Sequence, residues 1–225
     1  MAAGTKEGLE FETEEIDDPS IATTPNDVEP MKRAWRNEKA SPEILEFQSD
    51  LVDRIRGQIE LNERNVEEFE QNGTDPLTIS LYQMDLDRSQ FLLRSYLRIR
   101  LYKIEKYMIY ISKTTDMWNR LSEQEQKFAK RCIDDMEKHL TQSVLSRLPF
   151  GYQSMMKQSI SSEEDDLVPE PQLDTFVFCK SKGSLGAFQL DESGDEIVDL
   201  VADDLYVLRY KSVKPLIENG QIDIV

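Results

Sequence analysis

Histidine occurs once in the 225 residues and cysteine twice, at Cys132 and Cys179. A single histidine withholds the ligands of metal centres and triads that need several. The two thiols lie far apart without a partner motif, as reduced cysteines of the cytosol or nucleus do. No stretch approaches the roughly 20 apolar residues of a bilayer span. The opening MAAGTKEGLEFETEE has neither the basic nor the apolar region of a secretory leader. Bases are scarce as well, 27 against 44 acids, for a formal charge of −17. Phosphate attraction needs clustered Lys and Arg, so this balance disfavours general nucleic-acid binding and docking on anionic membranes. What is present is foldable: 39% hydrophobic residues in a chain long enough for one large domain or two small ones.

The charge is unevenly spread. Residues 1–30 hold nine acids and one base, with three prolines and few apolar residues. Positions 1–26 therefore read as a disordered acidic tail. Helical periodicity then runs through 27–150. Asp27 is placed to cap a short helix towards Lys39. Ser41-Pro42-Glu43 is a start signal for a second helix through Leu45, Val52, Ile55, Ile59 and Val66, ended by Asn72-Gly73. Asp75-Pro76 opens a third helix to about Ser112. Ser122 with Glu125 forms a capping box for a fourth, whose stripe is Phe128, Cys132, Met136 and Leu140. Residues 151–172, with SSEEDD and two prolines, have the composition of an extended linker. Over 173–225 the pattern turns to short β-type runs: Thr175–Cys179, Ala187–Leu190, Ile197–Leu200, Leu205–Tyr210 and Ile222–Val225. A helical turn sits near Pro215–Glu218. The fold class read from this is mostly α with a small β domain: an N-terminal helical bundle followed by a C-terminal β-rich domain.

The third helix is the informative one. Projected at about 100° per residue, Leu93, Leu97, Leu101, Ile104 and Met108 share one sector, while Leu92, Tyr96, Ile99 and Tyr102 fall largely opposite. A surface helix of a monomer carries one apolar stripe. Two stripes in a domain of about four helices imply that a second protein supplies one cover. Arg88, Arg94, Arg98, Arg100, Lys103 and Lys106 punctuate the same helix, and stretch 76–113 carries a net +4 inside an acidic chain. Arginines suit bidentate pairing with carboxylates in a desolvated interface. The alternatives are the central helix of a monomeric bundle, its arginines lying over their aliphatic stems, and a DNA-binding face, which the interleaved Leu and Ile oppose.

Four separated motifs occur in a telling order: AWRNEKASPEIL (34–45), RSYLRIRLYKIEKY (94–107), LDTFVF (173–178) and LRYKSVKPLIENGQIDIV (208–225). Together, over roughly residues 30–225, they resemble the Sld-five family of subunits of GINS, the four-protein complex of eukaryotic replication forks. The acidic N-terminus and the linker lie outside the likeness. The resemblance implies a helical A domain, a β-rich B domain, no catalytic activity and no cofactor or metal. It implies a heterotetramer with three Psf-type GINS siblings, joined to the MCM ring and the Cdc-forty-five protein in the replicative helicase of the nucleus. Carried over by residue, the subunit interface falls on Leu92, Leu93, Tyr96, Leu97, Arg98, Ile99, Arg100, Ile104 and Tyr107. At the B-domain terminus it falls on Leu216, Ile222, Ile224 and Val225.

Other residues with chemical potential have plainer readings. His139 near a helix end complements the dipole. Cys132 and Cys179 are small buried hydrophobes. Gly183-Ser-Leu-Gly186 lacks the lysine of a phosphate loop and reads as a hairpin turn. Leu9, Phe11 and Ile16, spaced among acids, form a candidate peptide for a fork adaptor, against a merely solvated tail. Ser161 and Ser162, with acids three residues on, are candidate phosphorylation sites. The competing function is a monomeric helical adaptor that binds partner peptides and is unrelated to replication.

Overall fold

The computed structural model describes residues 27–162, 164–190 and 197–225. Five helices come first: α1 (Val28–Ala40), α2 (Ser49–Gln71), α3 (Pro76–Lys113), α4 (Thr115–Asn119) and α5 (Glu123–Ser143), the last followed by a single 3-10 turn at Leu145–Arg147. The β-rich part contains β1 (Phe176–Ser181), β2 (Gly186–Gln189), β3 (Ile197–Leu200), β4 (Leu205–Arg209), α6 (Tyr210–Glu218) and β5 (Ile222–Ile224).

Several boundaries follow directly from local chemistry. Gly73 adopts φ +68°, the left-handed position at which a helix end favours glycine, and α2 stops there. Pro76 occupies the first turn of α3, where its missing N–H costs nothing. The Ser122–Glu125 capping box is complete: Glu125 N donates to Ser122 Oγ, and Ser122 N donates to the Glu125 carboxylate at 2.9 Å. At 38 residues α3 spans about 57 Å, and α1, α2 and α5 all pack along it. Tyr107, at φ −115° and ψ 17°, leaves helical geometry and bends its last turn and a half.

Two expected signals yield to tertiary contacts. Asp27 precedes α1, but its carboxylate makes no cap; it accepts from Arg54 Nε of α2 at 3.1 Å. Ser41-Pro42-Glu43 starts no helix. Residues 42–48 are irregular and α2 begins at Ser49. The reason is that Glu43 is fully buried and bonded to the β-rich part, which holds the chain open there. A short α4 also intervenes that the sequence pattern did not suggest.

The β-rich part is a three-stranded antiparallel sheet, β4-β1-β5, beside a separate β2-β3 hairpin. Gly183–Gly186 therefore links two sheets instead of turning a hairpin, since β1 pairs with β4 and β5 and not with β2. Alternation sends Val177 and Cys179 inward with Leu200, Leu208, Tyr210, Val213, Ile217, Ile222 and Ile224, and turns Phe176 and Phe178 outward. Segment 151–172 is folded on itself instead of extended. Leu167 N donates to Met156 O, Gln158 N to Asp166 Oδ1, and Lys113 pairs with Asp165.

Candidate functional site

The helical part holds two apolar clusters. One joins Met31, Leu51, Val52, Ile55, Leu92, Leu93 and Tyr96. The other joins Ile44, Ile104, Ile111, Met117, Leu121 and Ala129. Between them, one helical turn below Tyr96 and one above Ile104, α3 places Arg100 with no exposed surface at all. Its Nη1 donates to Glu38 Oε2 of α1 at 2.9 Å, and its Nε to Glu125 Oε1 of α5 at 2.8 Å. Carbonyls of Leu45 and Arg120 take further donors, and the guanidinium lies 5.2 Å from the Phe47 ring centre and 5.7 Å from that of Tyr96. Lys103 Nζ, one turn on, bonds Glu38 Oε1 and Glu43 O, each at 2.8 Å. A buried charge is tolerable when every donor has a partner, and here each does.

The environment moves the pKa values accordingly. Burial pulls the Arg100 guanidinium down, and the bonded Glu125 and nearby Glu38 outweigh it, so it ends above its ordinary value. Burial dominates at Lys103, whose pKa falls despite Glu38. The Tyr96 phenol, desolvated beside these groups, is pushed up to about 12. Cys179, sealed in the sheet core, rises to about 11 by burial alone; Cys132, half-buried on α5, rises too. Both are the reverse of activated thiols.

A second buried carboxylate ties the two parts of the molecule together. Glu43 accepts from Tyr210 Oη at 2.9 Å and pairs with Lys214 Nζ at 2.8 Å, both on α6; Arg120 stands 3.5 Å away and also pairs with Glu218 at 2.8 Å. Burial, then the Glu43 charge, raises the Tyr210 pKa well above its ordinary value. Asn37 of α1 accepts from Ile224 N at 2.8 Å, while Asp223 pairs with Arg33 and Lys182, each at 3.0 Å. A cleft of about 600 Å³ runs beside these contacts. Its charged walls are largely paired with one another.

The residues expected at an interface divide cleanly. Leu92, Leu93, Tyr96, Arg100 and Ile104 are buried by the chain's own α1, α2 and α5, so they offer no free surface to a partner, and the carboxylates awaited by Arg100 are its own Glu38 and Glu125. Ile222 and Ile224 lie in the β core, pinned by β1 and Asn37. Leu97, Ile99, Tyr107 and Leu216 are half-buried; Arg98 and Val225 are exposed. The two-sidedness of α3 is real, but its sides are set differently. Leu92 and Tyr96 turn inward, and the outer side belongs to Leu77, Leu81, Met84, Phe91 and Tyr102, of which Phe91 is 62% and Tyr102 66% exposed. Of these five, the two stripes expected from the sequence contain only Tyr102. A helical projection begun at Pro76 places all five within about 80° of one another.

Leu9, Phe11 and Ile16 lie outside the described residues. Ser161 is exposed, its Oγ 2.9 Å from Ser159 Oγ, and Ser162 is half-buried with Oγ donating to Asp166 at 3.3 Å. His139 is exposed on the last turns of α5. Among the described residues no three His, Cys, Asp or Glu side chains converge as metal ligands, and no helix is long and apolar enough to cross a membrane.

The fold and these contacts define a class: a helical bundle bonded to a small C-terminal β unit, whose buried charges all serve its own packing. Known proteins narrow it. Residues 54–144 match the model described as GINS complex protein helical bundle domain, and 171–225 match DNA replication complex GINS protein SLD5 C-terminus. The chain is 57% identical over 202 residues to the DNA replication complex GINS protein SLD5 of Arabidopsis thaliana, covering 89% of this chain and 91% of that one. It is 31% identical over 215 residues to that of Rattus norvegicus, covering 91% and 92%. The chain belongs to the SLD5 family of DNA replication complex GINS proteins.

Proposed function

We propose that this protein is a non-catalytic structural subunit of a GINS heterotetramer, assembled with three Psf-type siblings in the nucleus. In that role it serves the initiation and elongation of DNA replication within the helicase assembly formed with the MCM ring and the Cdc-forty-five protein. The observation that carries the reading, beside the family itself, is the outer face of α3. Five large apolar side chains there remain exposed after the described helices have packed. Burying each contributes about 1.5–3 kcal/mol, on the order of 10 kcal/mol together. An exposed ion pair gives about 0–1 kcal/mol. Apolar cover is therefore the large term, and obligate interfaces have this character. The interface proposed at Leu97, Arg98, Ile99, Tyr107, Leu216 and Val225 keeps those residues and gains the outer stripe.

The domain division proposed is 1–26 tail, 27–150 helical A domain, 151–172 connection and 173–225 β-rich B domain. Glu43 and Asn37 then act as the joint that fixes one domain on the other. Fork-adaptor contact through Leu9, Phe11 and Ile16 and phosphorylation at Ser161 and Ser162 belong to the same proposal. A phosphate at Ser162 would face Asp166 and loosen the turn it closes. Co-expression with the three siblings, followed by size-exclusion with light scattering, tests the assembly. A stable 1:1:1:1 complex is expected. A well-behaved monomer that ignores all three siblings would instead favour the peptide-binding adaptor.

A further inference from the structure

Two Asn-Gly pairs close helices in this chain, Asn72-Gly73 after α2 and Asn219-Gly220 after α6. Glycine has no Cβ, so nothing screens its backbone nitrogen from the side-chain amide carbon of the preceding asparagine. The two backbones match closely. Asn72 has φ −80° and ψ −3°, Asn219 has φ −78° and ψ 0°, and each glycine sits at φ +68°. Both asparagines are exposed, and neither side-chain amide has a partner among the described residues. Local chemistry is thus alike at the two sites, and the hold of the surrounding fold is what differs.

At Asn219 that hold is firm. Gly220 N donates to Ile217 O and Gln221 N to Leu216 O, each at 2.9 Å. Lys182, next to β1, grips the turn twice, its Nζ on Gly220 O at 2.7 Å and its N on Gln221 O at 3.1 Å. Glu218 pairs with Arg120 at 2.8 Å, and Ile217 and Ile222 on either side are buried in the β core. At Asn72 the hold is slight. Gly73 N reaches Glu70 O only at 3.4 Å, and Thr74 N bonds Phe69 O of the same turn at 3.1 Å. No residue between Val66 and Leu86 is buried. Exposed ends of elements open at little cost, whereas a turn clamped to a core opens only as that core does.

We propose that Asn72 is a site of spontaneous deamidation to aspartate and isoaspartate, and that the fold protects Asn219 from the same reaction. The Gly73 nitrogen, having lost its proton to solvent base, attacks Asn72 Cγ. The Cγ–Nδ2 bond breaks, and Nδ2 takes up a proton and leaves as ammonia. Water then adds to either carbonyl of the cyclic imide and opens it, giving aspartate or isoaspartate. Ring closure requires the asparagine ψ to swing far from zero and the glycine N–H to be released, so the turn must open before it reacts. The product sets a carboxylate at the negative end of the α2 dipole, beside Glu67, Glu68, Glu70 and Asp75. Isoaspartate also routes the main chain through the side-chain methylene, which removes the helix stop at Gly73 and shifts the neighbouring Leu77. The inference does not rest on the assembly reading, since the chain alone carries the reaction.

Peptide mapping by mass spectrometry of the full chain aged at mildly alkaline pH tests this. Isoaspartate is read in parallel by the labelled methyl group that a protein isoaspartyl methyltransferase transfers to its free carboxylate from S-adenosylmethionine. In the folded chain the peptide holding Asn72 is expected to convert at least about tenfold faster than the one holding Asn219. In denaturing urea the two should convert at similar rates, because both are Asn-Gly. Asn72→Gln should remove most of the methyl label from the aged folded chain. Equal conversion in the folded chain, or faster conversion at Asn219, would overturn the proposal. So would a gap that persists in urea, which would trace to neighbouring residues, or a folded chain in which neither site converts while both convert in urea.

Discussion

The inner and outer faces of α3 carry similar residues and behave differently. Inside, Arg100 and Lys103 stand among Tyr96, Ile104 and Met108, and every donor meets an oxygen of the same chain. Outside, Arg88, Arg94 and Arg98 stand among Leu81, Met84 and Phe91, and among the described residues no carboxylate answers. Composition does not separate the two faces; the placement of Glu38 and Glu125 does. A charge on a helix is a packing element where its neighbours in the fold complete it, and a recognition element where they do not. The bundle is thus finished on one side only.

The comparison can be broken most forcefully from the inside. Arg100→Met leaves the buried Glu125 carboxylate with the Ser122 N–H alone and Glu38 with Lys103 alone. Removing one member of a buried pair costs about 3–5 kcal/mol, so chemical denaturation should show a loss of that order or no folded chain. Glu43→Gln should cost less, about 1–3 kcal/mol, because Lys214 keeps some solvent. Its distinctive effect is on the joint: the helical and β-rich parts should separate sooner than the whole unfolds, read as earlier proteolysis between 151 and 172.

Titration gives a smaller effect with a definite sign. The Tyr210 phenol has a folded pKa above its unfolded value, so stability present near pH 8 is lost as pH rises past about 10, where the unfolded chain releases a proton that the folded chain keeps. Tyr96 acts in the same direction. Lys103, lowered by burial, acts oppositely below its ordinary value near 10.5. Tyr210→Phe should remove up to ~1.4 kcal/mol per pH unit of the alkaline decline, measured by urea denaturation from pH 8 to 11. On the outer face, Phe91→Ala or Arg98→Glu should change the stability of the isolated chain by no more than about 0.5 kcal/mol, and matter only when siblings are present.

Much of this was legible in the order of the residues. Helix ends at Asn72-Gly73, Asp75-Pro76 and Ser122–Glu125 obeyed local chemistry, and strand runs from Phe176 onward kept their alternation. Ser41-Pro42-Glu43 misled because its signal is local, whereas Glu43 is claimed by Tyr210 and Lys214, some 170 positions away. Likewise, periodicity grouped Leu92 and Tyr96 with Ile99 and Tyr102. Nothing in spacing reveals that α1 reaches past Tyr96 and stops at Ser95. Two-sidedness was readable; which side the chain covers itself depends on contacts across 60 residues.

Hydroxyl-radical footprinting tests the unfinished-face account most directly, comparing the dilute chain alone with the chain bound to its three siblings. Met84, Phe91 and Tyr102 should label readily in the free chain and become protected on assembly, while Tyr96 and Ile104 stay protected in both. Equal labelling of the outer residues before and after assembly would contradict it.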